Sequence, residues 1–193
     1  TFVGYPARGA ESEMLLATRG DTLEVRGVVR FDSLTYSFSP ASDTARLITR
    51  VDSTKVRLYL RLTGAKLPNN VRFDVYDVDT TAADTSSAAV LATFRRDRLI
   101  GSLTLAKAAV IDSIFIPLSD SAVLAKITAH TRLRLGFRVD GDGPVSLRAQ
   151  TTEGGFGARL SYRPSPDTAV RAVAVSPYSS SPIDFEQLRV DLT

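Results

Sequence analysis

The segment Lys55-Val56-Arg57-Leu58-Tyr59-Leu60-Arg61-Leu62 alternates apolar and polar residues without a break. Successive strand side chains point to opposite faces, so this pattern builds a strand with Val56, Leu58, Leu60 and Leu62 on one side. Arg132-Leu133-Arg134-Leu135-Gly136-Phe137-Arg138-Val139 repeats it, and Val71-Arg72-Phe73-Asp74-Val75-Tyr76 makes a third such strand. One apolar and one wet face per strand means antiparallel sheets over a shared core, since parallel strands read as continuous apolar runs with helices between them. Weaker alternation predicts strands at 13–18, 22–31, 46–51, 99–105, 113–118, 145–149, 158–163 and 169–175. Turn clusters such as Leu67-Pro68-Asn69-Asn70 and Asp140-Gly141-Asp142-Gly143-Pro144 separate them. One helix is expected over 121–129, capped by Ser119 or Asp120, with Val123, Leu124 and Ile127 facing inward. The expected fold class is all-β, an antiparallel, jelly-roll-like β-sandwich with one short helix and an extended C-terminal tail.

The chain of 193 residues is long enough for one domain with a sizeable core. The sandwich is expected over 1–163. Residues 164–193 change character, with a Pro-Ser-Pro-Asp linker, a last apolar strand, and then a Pro/Ser-rich extension. The absence of Cys excludes disulfides, thiolate metal sites and thiol chemistry, and a single histidine excludes any site needing two imidazoles. The net charge of +3 is spread through alternating signs. Even the densest basic patch, Arg95-Arg96-Asp97-Arg98, contains its own acid, so nucleic acid is not an expected partner. No apolar run approaches the ~20 residues of a membrane-spanning helix. The Ser, Thr and Asp richness of a strand-built chain that begins at Thr1 suits an exported bacterial protein, periplasmic, cell-surface or secreted, whose leader is not part of this chain.

Catalytic sets are missing. His130 sits just past the expected helix, where the helix terminus itself favours a histidine. No Gly-x-Ser-x-Gly elbow supplies a nucleophile, and the few glutamates do not form an evident acid pair. The expectation is therefore not an enzyme. Asp77 and Asp79, and Asp140 and Asp142, offer hard oxygens on turns, the ligand type a structural Ca²⁺ takes. Arg57, Tyr59, Arg61, Arg72 and Tyr76 fall on the polar faces of strands expected to be adjacent, and Arg and Tyr are enriched at protein interfaces. In the extension, Tyr178, Phe185, Leu188, Val190 and Leu192 are spaced apolar anchors on a polar arm, which frays unless a partner orders it.

Ser12-Glu13-Met14-Leu15-Leu16-Ala17 followed by Val25-Arg26-Gly27-Val28-Val29-Arg30-Phe31-Asp32 resembles the start of DNRLRE-type jelly-roll domains of bacterial surface and secreted proteins. Val56-Arg57-Leu58-Tyr59-Leu60 is similar to the next strand of that family. Val145-Ser146-Leu147-Arg148-Ala149 and Ala158-Arg159-Leu160-Ser161-Tyr162 resemble its closing pair. The resemblance spans about residues 10–163. It implies a jelly roll acting as an adhesive, carbohydrate-binding or structural module. The expected function is a non-catalytic extracytoplasmic binding module, a structural or accessory subunit docked on other protein subunits of an envelope or membrane complex. The alternatives are a polysaccharide-binding module, with sugar stacked on Tyr59 or Tyr76, and an adhesin or surface-layer domain.

Overall fold

The computed structural model of the chain describes residues 12–19, 22–39, 44–80, 86–152, 155–164, 178–180 and 184–191, the last two stretches as backbone. Its strands are β1 (Glu13–Arg19), β2 (Leu23–Phe31), β3 (Ser37–Phe38), β4 (Arg46–Leu47), β5 (Val51–Lys66), β6 (Asn70–Asp77) and β7 (Leu99–Ala106). They continue as β8 (Ser113–Pro117), β9 (Leu133–Gly141), β10 (Val145–Gln150), β11 (Arg159–Pro164), β12 (Tyr178–Ser180) and β13 (Asp184–Asp191). Two helices interrupt them, α1 (Ser87–Leu91) and α2 (Asp120–Thr128). Every ladder among the described residues is antiparallel. The all-β sandwich expected from alternation is the fold observed.

The strands form one long path, β12-β11-β5-β10-β1-β2-β9-β6-β7, with β13 added beside β2 and β8 beside β5. The path curls into two layers. β5 runs for 16 residues, longer than strands usually stay flat, and its halves serve different neighbours. The first half pairs with β11 and β8, the second with β10. β2, β9, β6 and β7 make the facing layer. The β1–β2 hairpin joins the layers at one side. Opposite it, β7 and β8 approach, and the Ser119 N–H donates to the Ile100 carbonyl at 2.7 Å. Inward residues of both layers merge in a single apolar cluster: Leu58, Leu60 and Ile116 from one, Phe73, Leu135 and Phe137 from the other.

Three elements differ from expectation. The strand expected at 46–51 is only the short β4, paired with β3, and Val51 opens β5 instead. A helix beyond the one expected is α1, whose N-cap Ser86 accepts from the Ala89 N–H. That hydroxyl satisfies a first-turn amide otherwise left without a helical partner. The helix expected over 121–129 is α2, one residue earlier, with Ser119 as its cap and Val123 and Ile127 buried. The strand expected at 169–175 lies outside the described residues.

The extension adds to the sheet. β13 pairs with β2 over its full eight residues, from Asp184 opposite Arg30 to Asp191 opposite Leu23. Phe185, Leu188 and Val190 stand in register with Val29, Arg26 and Glu24. Tyr178 lies in β12 opposite Tyr162, and Leu192 is outside the described residues.

Candidate functional site

The expected Arg/Tyr surface splits in two, because β5 and β6 are consecutive in sequence but belong to different layers. Arg57, Tyr59 and Arg61 lie on the outer face of the β5 layer; Arg72 and Tyr76 lie on the outer face of the β6 layer. The adjacency expected of Tyr59 and Tyr76 is thereby corrected.

Tyr76 is also no surface residue, being 6% exposed. Together with Val28, Val78 and Val90 it forms a second apolar cluster, with Phe94 against its ring at 5.2 Å. This small core roofs part of the β6 layer. Gly136 lies directly beneath it, where a Cβ would come within 2.5 Å of Phe94 and Val78. Around the roof the charges are paired. Arg72 reaches Asp74 at 3.0 Å and Asp140 at 3.1 Å. Glu24, 3% exposed, accepts from the Nε of Arg26 at 2.8 Å and the Nε of Arg138 at 3.0 Å. Burial pushes the Glu24 carboxyl up, but the hydrogen bonds from Arg138 and Arg26 and their charges outweigh it and hold it below the usual glutamate value. Burial likewise works against the Arg138 cation, yet the bond to Glu24 raises its pKa overall.

The acidic turns expected to hold Ca²⁺ are occupied by the protein's own donors. Lys126 Nζ stands 3.2 Å from Asp77 and 3.4 Å from Asp79, and Arg132 Nε stands 2.8 Å from Asp79. Arg98 donates to the backbone carbonyls of both aspartates. At the far end of β6, Asp140 accepts from Arg72, while Asp142 takes the Asn70 backbone N–H and side-chain amide. The Asn70 backbone hydrogen bond heads the causes that hold the Asp142 carboxyl below its usual value. The two acid pairs sit at opposite ends of the β6–β9 ladder and do not come together. Among the described residues no group of three or more His, Cys or acidic side chains is arranged to hold a metal ion.

His130 follows α2 in the left-handed region, φ 53°. The Thr131 N–H reaches back to the Lys126 carbonyl and the His130 N–H to that of Ile127, the paired bonds of a Schellman motif. The imidazole stacks on Tyr36 at 4.3 Å. Its observed role is to end a helix.

The β5 layer presents something different. In register across three strands, Phe115 of β8, Arg57 of β5 and Arg159 of β11 stand side by side. The Arg57 guanidinium lies 4.2 Å from the Tyr59 ring centroid and 5.2 Å from that of Phe115, and its Nε donates to Ser113 Oγ at 2.6 Å. Phe156, from the loop after β10, tilts against Tyr59 at 5.4 Å, and Lys55 Nζ sits 4.9 Å from Phe115. Phe115 and Phe156 remain 48% and 57% exposed. Further along β5, Arg61 faces Arg148 of β10, and both pair with Glu13 of β1. Among the described residues Lys55, Arg57, Arg159 and Arg163 have no carboxylate within ion-pairing distance.

Sequence reading found Arg57, Tyr59 and Arg61 but missed Phe115, Phe156 and Arg159. Phe115 was legible in principle, because Ile114 and Ile116 take the inward positions of β8 and leave it the outward one. Phe156 carried no periodic signal in its Gly-rich loop. The face is thus a row of cations and aromatic rings on the outer surface of the β5 layer. No protein-family model matches the chain, and no curated protein matches it.

Proposed function

We propose that this protein is a non-catalytic binding module, a structural or accessory subunit that docks on a larger extracytoplasmic assembly through the outer face of β5, β8 and β11. The observation that carries the reading is the row Phe115–Arg57–Tyr59–Phe156, where large apolar rings stay exposed beside cations that have no acidic partner among the described residues. Exposed aromatics with Arg are what interface centres use, because rigid rings and a planar guanidinium bury much area at small entropic cost. The extension, laid along β2, has its backbone hydrogen bonds directed to its own sheet, so the docking surface is put on the β5 layer. Placement outside the cytoplasm rests on the composition and on the jelly-roll resemblance.

The polysaccharide alternative draws on the same exposed rings. Against it, Tyr59 already has Arg57 on its ring and Phe156 beside it, so the face a sugar would stack on is taken. An adhesin or surface-layer role predicts self-association of the purified chain instead.

The test is gentle affinity purification from cells that natively produce the chain, comparing wild type, Phe115→Asp and Arg95→Ala. Arg95 is exposed and among the described residues pairs only with the nearby Asp97, which makes it a control. Wild type and Arg95→Ala should retain the same co-purifying subunits, and Phe115→Asp should lose them. Retention at wild-type yield by Phe115→Asp would show that this face does not dock the protein.

A further inference from the structure

We propose that the partner segment received by this face is acidic and extended, a strand-like peptide with carboxylates at alternate positions. The inference rests on the reading of the β5 layer as the docking surface.

Arg57 faces Arg159 directly across the β5–β11 ladder, and Arg61 faces Arg148 across β5–β10. Like charges directly opposite on neighbouring strands oppose folding. In the other layer the matching outward pair is Arg138 opposite Asp74, a complementary one. Glu13 serves two arginines at once, and Arg57 and Arg159 have no acid among the described residues. The missing negative charge is what a partner can supply.

The bond to Ser113 and the flanking rings of Tyr59 and Phe115 hold the Arg57 guanidinium in place. Its Nε is engaged, leaving the two terminal nitrogens to present N–H donors. A carboxylate is the planar, two-oxygen acceptor that fits such a fork, and binding it costs little further side-chain entropy.

From Arg57 to Arg61 is four residues of strand, about 13 Å. Beyond Arg61 the β5–β10 register slips between Ser146 and Arg148, and Gly64 adopts φ 77°. A groove of about 420 Å³ lies here, and its lining includes Arg61, Arg148, Thr63 and Ser146. An extended peptide laid along β5 has the same rise per residue, so its i and i+4 side chains share a face at that same spacing. One carboxylate reaches Arg57 and Arg159 and the other reaches the Arg61–Arg148 groove. Phe115 and Phe156 flank the row, against the methylene stems of the facing glutamates.

The probe is a fluorescein-labelled decapeptide alternating glutamate and valine, titrated with the full chain and read by anisotropy. Wild type should bind it, with affinity falling as salt rises. Arg57→Ala should weaken binding at least tenfold. Arg57→Lys should remain weakened severalfold, because an ammonium restores charge but not the fork. Arg61→Ala combined with Arg148→Ala should weaken it severalfold, and Arg95→Ala should leave it unchanged. Melting curves confirm that each variant is folded. Absence of binding at millimolar chain overturns the inference, as does an equal loss in Arg95→Ala, which would mean diffuse charge. Tighter binding of polygalacturonate than of the peptide overturns it in favour of an acidic glycan. Loss of native subunits by Phe115→Asp without peptide binding would sink this inference alone and leave the docking reading standing.

Discussion

The two outer faces of the sandwich use the same vocabulary of arginine and tyrosine on outward strand positions, and they do opposite things with it. On the β6 layer, Arg26 and Arg138 close on Glu24, Arg72 on Asp74 and Asp140, and Tyr76 goes under Phe94. On the β5 layer, Arg57 meets Arg159, Tyr59 stays partly open, and Phe115 is left outside. Among the described residues, the difference is the supply of carboxylates and of a covering element, since the β6 layer has α1 and Phe94 above it. Outward alternation therefore marks a face only as a candidate for contact. Internal pairing makes it part of the fold, and on the β5 layer the proposed docking tests the other outcome.

The sharpest way to break the comparison is to remove the acid that neutralises the first face. Glu24→Gln leaves Arg26 and Arg138 beneath the roof without their counter-charge. Breaking such a buried pair from one side costs about 3 kcal/mol, and the partial exposure of both arginines argues for the lower end of the range. Urea unfolding at neutral pH measures it, and a loss below about 0.5 kcal/mol would show the network to be surface ornament. The same residue sets an acid limb. Because folding lowers the Glu24 pKa, its contribution is full above the unfolded value of about 4.3 and disappears as pH falls through the folded value. Wild type should lose more stability than Glu24→Gln between neutral pH and about pH 3. Parallel acid limbs in the two proteins would contradict the assignment.

Next in size is the roof itself. Gly136→Ala places a methyl where Phe94 and Val78 already lie, and overpacking of this kind costs about 1–3 kcal/mol. Phe94→Ala in the same background opens that space and should recover part of the loss. Additive losses in a double-mutant cycle would mean the two positions do not meet.

These features show how far the residues could be read unaided. Val56, Leu58 and Leu60 announce their strand and its inward face by period alone, and Ser119 with Val123 and Ile127 places α2 to within one residue. Both signals are local. Which outward face a residue joins is a long-range fact: Tyr59 and Tyr76 sit on neighbouring strands in sequence, yet the chain crosses between layers at Leu67-Pro68-Asn69. Glu24 looks like one more wet position until Arg138 arrives from 114 residues away. Asp77 and Asp79 look like free oxygens until Lys126 and Arg132 reach them. Charge pairing depends on register and topology, which alternation alone does not encode.

The smallest expected effect separates the faces most cleanly. Arg159→Glu replaces a like-charge cross-strand pair by an opposite one, with Arg57 held where it is by Ser113 and the two rings. Relief of repulsion plus the new attraction should stabilise the fold by about 0.5 kcal/mol, the scale of one cross-strand pair. The new carboxylate also competes for the fork that the acidic probe needs, so binding should weaken even as the melting temperature rises. Opposite signs on stability and binding at one residue mark a site where folding has been left unoptimised for a partner. The mirror substitution, Asp74→Arg opposite Arg138, should lower stability and leave probe binding untouched. If Arg159→Glu instead lowers both, Arg159 belongs to the fold as Arg138 does, and the contrast between the two faces collapses.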